Sequence, residues 1–443
     1  MKKAVITLLL ITGLGIAGSG QEKWSLEKCI SYAIENNIAL KRQQVQTEQN
    51  RTNLRQSRAS LLPNLNFQSS GTMNFGRSVD PVTDGITFNQ NLQNFYFLGS
   101  NITLFNGFAL ANRMSASKFM YEMGLALEQA NRDLLTVDIT NAYFQVLMYR
   151  GVVSTAGRQL DVSEQQLHRI SVMVETGAES RTTLLEMQSQ VSNDRLLLTQ
   201  AINNEMIALE SLKQLLQLDS ATDFDITEES LLVNINDEVS TDVDSVYEVA
   251  REILPGINAL VLQAEARKKL VKAAIGEASP ELTLSGGWRT GYYDAMMEGV
   301  ATTPFFEQLQ NNKNQSVSAT ITIPIFNRWL AGSNIKRAKL NLQDAELQLQ
   351  QEYNTLYSQV TNATLELKAV KDEHLAIKDS KEYSDLAFKA VEKKFQTGMA
   401  SATEYAEARR QKFYAEVDML RVQLQYNLKL MMLKYYFTGR WEL

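Results

Sequence analysis

The chain has 443 residues, 44% hydrophobic and 21% charged, the makeup of a folded protein, and its formal net charge of -6 excludes a nucleic-acid binder working through a basic face. A single cysteine, Cys29, excludes an intramolecular disulfide framework, and only 6 prolines leave room for long unbroken helices.

Met1-Lys2-Lys3, an apolar run from Ala4 to about Ala17 and small residues before Gln21 read as a secretory signal peptide over 1–20. The run is too short and too early to span a membrane, and no later stretch approaches 18 uninterrupted apolar residues, so export without a transmembrane helix is expected. Leu26, Ile30, Ala33 and Ile34 then mark an amphipathic helix, and Cys29 within it reads as a packing residue.

After Pro63 the apolar period changes to two: Leu65, Phe67, Met73 and Phe75 alternate with polar residues, as do Leu98, Ser100, Ile102 and Leu104 within Tyr96 to Leu104. Two strands are expected there, joined by a polar, solvent-facing loop from about Gly76 to Asn94. From Leu135 to Val174 apolar residues step by four and three through Ile139, Val146, Val153, Leu160 and Leu167, the seam of a coiled coil. No proline interrupts Asn106 to Gly177, so the 71-residue step can be one helix or two stacked ones, about 105 Å in all. Gly177 suits a left-handed helix end and Ser180 an N-cap, so a second helix returns from about Ser180 to Leu218.

Most of this recurs 221 residues later. Phe105-Asn106 returns as Phe326-Asn327, Thr140-Asn141-Ala142 as Thr361-Asn362-Ala363, and Thr176-Gly177 as Thr397-Gly398. A constant offset over a hundred residues implies a duplicated shape. The first repeat is placed at 21–218, an acidic, irregular connector at 219–244, and the second repeat at 245–443. In the second copy strands are expected after Pro280 (Leu282, Leu284, Trp288, Tyr292) and over Ser316 to Ile325, with a polar loop from about Tyr293 to Gln315 between them. A second coiled-coil seam runs through Leu356, Val360, Leu367, His374 and Phe388 to Phe395, and a helix returns from about Ser401 to Phe437.

Strands of about ten residues with one apolar face suit a transmembrane barrel. Four strands cannot close one, and open edges in lipid would leave costly unpaired backbone groups, so other copies of the chain must complete it. The other reading of the same periodicity is a soluble four-stranded sheet packed against helices.

Trp24-Ser25-Leu26-Glu27, Leu62-Pro63-Asn64-Leu65, Leu104-Phe105-Asn106-Gly107, Ile325-Phe326-Asn327 and the two Thr-Gly tips, in this order and spacing, resemble the TolC family of outer-membrane channels over essentially the whole mature sequence. That resemblance implies a mainly helical chain with a transmembrane β portion: long coiled-coil hairpins, with four strands per chain given to a twelve-stranded barrel of a homotrimer. It also implies an exit duct of a tripartite efflux or type I secretion system, set in outer-membrane lipid with a large periplasmic helical portion. Cargo would come from an inner-membrane transporter through a periplasmic adaptor.

In such a channel the turns Thr176-Gly177-Ala178 and Thr397-Gly398-Met399 would meet the adaptor. Glu404 and Glu407 stand where similar members carry an acidic pair that narrows the entrance, and Glu186 is the repeat mate of Glu407. Three chains would gather six carboxylates, favouring cations and raising their own pKa values by repulsion. Glu404 also fits a capping box with Ser401. The copies differ here: Thr183 stands where the second has Glu404, and Ala400 where the family has a basic residue.

No enzyme is expected. His168 and His374 are unrelated by the offset, neither has a cysteine or second histidine nearby in sequence, and there is no nucleophile-elbow, phosphate-loop or dinucleotide motif, so no cofactor or metal is assigned. A periplasmic coiled-coil scaffold or adaptor without a pore is the alternative, although it would not need alternating strands.

Overall fold

The computed structural model describes residues 23–79, 86–219, 221–228, 242–296 and 301–441. The signal segment and most of the 219–244 connector lie outside these residues. In chain order the elements are α1 (Leu26–Asn36), α2 (Ile38–Ala59), β1 (Asn66–Val79), β2 (Ile86–Phe105), α3 (Ala109–Glu175), α4 (Arg181–Leu216) and α5 (Val243–Ile253). There follow α6 (Pro255–Gly276), β3 (Glu281–Asp294), α7 (Phe305–Asn311), β4 (Asn314–Thr322), α8 (Leu330–Gln396) and α9 (Ala402–Thr438).

The duplication is carried into the elements. α3 and α8 are each a single helix of 67 residues, starting 221 apart at Ala109 and Leu330, so the one-helix alternative holds in both copies. α4 and α9 begin 221 apart as well, at Arg181 and Ala402. The front helices repeat too, with an offset the sequence reading missed: Leu26 and Val243 lie 217 apart, as do Ala59 and Gly276. The amphipathic helix expected through Leu26, Ile30, Ala33 and Ile34 is α1, and α2 follows it after a break at Asn37, which leaves the helical region at ψ 124. In the second copy Pro255 occupies the first turn of α6, where its missing N–H costs no helical bond.

Two compact units cut across the repeats. One comprises residues 1–38, 131–247 and 359–443, the other 39–130 and 248–358. In the first unit these heptad-seam positions are buried: Leu135, Ile139, Val146, Ala156, Ser163 and Ile170 on α3, and Val360, Leu367, His374 and Phe388 on α8; Leu356, on the same α8 seam, is buried in the second unit. Tyr143 and Phe144 add to the α3 seam. The Tyr143 hydroxyl reaches the carbonyls of Trp24 and Thr227, where Trp24 forms a parallel bridge with Ile226. Arg150 locks the same corner through Glu205, Asp225 and the Ile226 carbonyl. Cys29 packs there at 0% exposure, as a packing residue should.

The second unit holds a four-stranded antiparallel sheet in the order β1-β2-β3-β4. Phe67 pairs with Leu98 and Leu98 with Trp288, so these side chains share one face, and Met73, Phe75, Val317 and Ile321 extend it. That face is unusually bare for apolar residues: Phe67 and Ile321 are 66% exposed and Val317 82%. The opposite face carries Gln68, Ser70, Thr72 and Asn74. On it the Phe97 ring lies over Gly99 and Gly287, where a Cβ would come within 2.4 and 2.6 Å of ring carbons.

Both expected loops are corrected. β1 continues to Val79 and β2 starts at Ile86, pairing Asn66 to Val79 with Gly99 to Ile86, so most of the 76–94 stretch is strand. Asn91 and Gln93 lie on the polar face of the ladder, where Asn74 donates to the Asn91 side chain across the strands at 2.8 Å. The 293–315 stretch contains α7, while β4 spans Asn314–Thr322 and stops before Pro324, which has no N–H to donate.

Candidate functional site at the helical hairpin tips

Both hairpins turn through the same backbone. Gly177 and Gly398 stand at φ 74 and 75, in the left-handed region, and a Cβ at either would meet nothing within 4 Å. Dihedral angle, not crowding, is therefore what selects glycine. Ala178 N–H donates to the Met173 carbonyl and Gly177 N–H to Val174; Met399 and Gly398 repeat this onto Lys394 and Phe395. These are the paired bonds of a Schellman end, which satisfy the last helical carbonyls. The Thr176 hydroxyl bonds the Val172 and Met173 carbonyls and that of Thr397 bonds Lys393 and Lys394, so both hydroxyl hydrogens are spent inside their own helices. What the tips offer outward is methyl groups, glycine backbone and the side chains of Ala178 and Met399, the latter 72% exposed.

The returning helices start differently. Ser401 and Glu404 form a full capping box, Glu404 N–H donating to Ser401 Oγ and Ser401 N–H to Glu404 Oε2. In the first copy Ser180 caps Thr183, and the acceptor for the Ser180 N–H is Glu179, a residue the sequence reading passed over. Glu404 and Glu407 are exposed one helical turn apart, and Glu407 is held by Arg410 and Gln411 of its own helix. Glu186 has different surroundings from its repeat mate. It lines a cavity of about 490 Å³ with Arg169, Ala178, Thr183, Thr397 and Gly398, bringing the two tips into one concavity, whereas Glu404 and Glu407 are not in its lining.

Behind the tips, Tyr405 is fully buried with Met187 and Phe388, and its ring stacks on Phe395 at 4.7 Å. Burial pushes its phenol above the ordinary value. Its place between Glu404 and Glu407 turns both carboxylates outward. One turn further lies a buried polar knot. Asp194 accepts from Gln159 and Gln190 at 2.9 Å each and from the Ser163 hydroxyl, while Arg409 donates to Ser163 and lies 3.4 Å from Asp194. Arg409, Asp194 and Ser163 are 4%, 1% and 0% exposed. Desolvation lowers the pKa of Arg409, and the Asp194 charge opposes that shift. Sequence reasoning missed this knot because the 221 offset maps Arg409 to Gln188 and Asp194 to Ala415: neither is repeated.

Among the described residues no His, Cys, Asp and Glu cluster could hold a metal ion, and no helix is long and apolar enough to cross a membrane. A family model described as outer membrane efflux protein matches residues 29–217 and 246–435. Outer membrane protein OprJ of Pseudomonas aeruginosa is 21% identical over 427 residues, covering 94% of this chain and 84% of OprJ. Among solved structures, CusC superposes with a TM-score of 0.79 at 17% identity, covering 94% of this chain and 92% of CusC. The CmeC outer membrane channel of Campylobacter jejuni superposes with a TM-score of 0.77 at 18% identity, covering 94% and 86%.

Proposed function

The chain belongs to the outer membrane efflux protein family, and from that premise we propose that it is the exit duct of a tripartite efflux or type I secretion system. Members of this family are outer-membrane efflux channels and not enzymes. The duct is passive: small molecules or proteins arrive from an inner-membrane transporter through a periplasmic adaptor, and the energy is spent in the transporter.

The observation that carries this reading is the sheet. Its apolar face is bare, its other face is polar, and β1 and β4 are free edges. In lipid each unpaired edge group costs several kcal/mol, so three chains joined edge to edge into twelve strands satisfy what one chain leaves open. The repeats at 21–218 and 245–443, with the 219–244 connector, then supply paired helical hairpins to a periplasmic tunnel. Glu404 and Glu407 ring its entrance, with Glu186 in the concavity beside the tips. Thr176-Gly177-Ala178 and Thr397-Gly398-Met399 dock the adaptor through apolar contact, because their hydroxyls are already committed.

The test is purification from the outer-membrane fraction, followed by oligomeric mass and conductance in a planar bilayer. A trimer with cation-preferring channels supports the duct. A monomer absent from the membrane overturns the barrel. For the tips, charged substitutions at Ala178 and Met399 should abolish adaptor pull-down and efflux together; unchanged efflux would remove them from the docking surface.

A further inference from the structure

β3 outlasts its partner. β4 pairs with β3 only from Glu281 to Arg289, yet β3 runs on to Asp294, at the end of the sheet remote from Phe105 and Thr322. The short helix α7 takes the place of the missing strand. Gln308 accepts from Tyr293 N–H and donates to Tyr293 C=O, both at 2.9 Å, and Asn312 donates to the Gly291 carbonyl at 2.8 Å. Side-chain amides thus close an edge that would otherwise present unpaired backbone.

α7 also lies on the apolar face. Thr290, which shares that face with Trp288, is 4% exposed and donates to the Leu309 carbonyl at 2.7 Å. Phe305 sits 5.1 Å from the Tyr292 ring and 6.5 Å from Tyr96, both on the same face. Phe306 meets the Phe305 ring edge to face at 5.4 Å and is 77% exposed. A bare phenylalanine beside tyrosines, continuous with the apolar belt of Leu98 and Val317, is the composition of a membrane interface, where ring bodies enter the acyl region and polar tips meet headgroups.

We propose that α7 is a lipid-facing collar: Phe306 enters the outer leaflet at the boundary of hydrocarbon and headgroups and sets the height at which the sheet sits in the membrane. This rests on the reading that the apolar face of the sheet meets lipid.

The probe is a nitroxide on Phe306→Cys and, separately, on Val317→Cys, in the full chain reconstituted into phosphatidylcholine vesicles. Cys29 stays in place unlabelled, since burial pushes its thiol up to about 12. Collision rates with oxygen, which partitions into lipid, are compared with those of a water-soluble nickel chelate. At Val317 oxygen should exceed nickel several-fold; at Phe306 oxygen should still exceed nickel, by a smaller ratio that marks a shallower depth. Nickel dominating at Phe306 alone would put α7 in water and overturn the collar. Shielding from both reagents at Phe306 would mean that a neighbouring copy covers it, which also overturns it. Nickel dominating at Val317 would sink the lipid-facing sheet, and the collar with it.

Discussion

Arg409 and Asp194 form an ion pair 3.4 Å apart, with side chains 5% and 0% exposed, and they come from opposite copies of the repeat. The second copy's returning helix is thereby tied to the first copy's hairpin through a charge that neither copy could bury alone.

Removing one partner leaves the other charge in a dry site. Arg409→Ala should destabilise the protein by about 3–5 kcal/mol, with Gln159, Gln190 and Ser163 unable to neutralise Asp194. Denaturant unfolding of the single and double variants reads this directly. Adding Asp194→Ala to Arg409→Ala should recover much of the loss, and an additive double variant would show that the pair is not coupled.

Cap and charge can be separated at Glu404. Glutamine still accepts a bond at the third position of a capping box, so Glu404→Gln should leave unfolding unchanged while lowering cation preference in bilayer recordings. Glu404→Ala should lower that preference and cost about 0.5–1 kcal/mol as well. Glu407→Gln should alter selectivity without altering the cap. If neither glutamine variant changes the reversal potential, these carboxylates are not at the entrance.

His374 gives the first unit a pH dependence. Both ring nitrogens are buried without a partner, and burial, aided by Lys378, holds its pKa below the ordinary 6.5. The unfolded chain then protonates first, so this contribution to stability is full above about 6.5 and is lost as pH falls from there through the folded-state pKa. Melting temperatures between pH 7.5 and 5 should fall more steeply for the parent than for His374→Leu. Parallel curves would remove His374 as the cause.

The strand-to-helix corners share the Phe-Asn pair and the same turn, and differ in sequence at the two left-handed residues that follow. Gly107 and Phe108 stand at φ 62 and 61, and their mates Arg328 and Trp329 at 54 and 64. In the first copy glycine is required twice over, because a Cβ on Gly107 would lie 2.6 Å from the Gly276 carbonyl. Arg328 is exposed and bears only the dihedral strain. Arg328→Gly should therefore stabilise by about 0.5–1 kcal/mol in thermal unfolding, and Gly107→Ala should destabilise by more.

Reading the chain alone succeeded wherever a local rule repeats. Heptads, glycines with φ near 75 and serine N-caps act within a few residues, and each occurs twice 221 apart, so the helix ends at Glu175 and Gln396 and the starts at Arg181 and Ala402 were legible to within a residue or two. The same logic misplaced the 76–94 stretch, since Asn and Gln favour turns in isolation and become strand residues only when a paired strand supplies the ladder.

What the amino-acid order determined by itself was the duplicated helical hairpin and the amphipathic strands, because these rest on period and spacing, while the resemblance to the family rested on its motifs, such as Leu62-Pro63-Asn64-Leu65 and Leu104-Phe105-Asn106-Gly107. Only the tertiary structure decided which charge meets which. Asp194 and Arg409, Gln308 and Tyr293, and Glu186 and the second tip are brought together by helix and sheet packing. Such partners leave no periodic trace, since any residue far along the chain with complementary chemistry would have read the same.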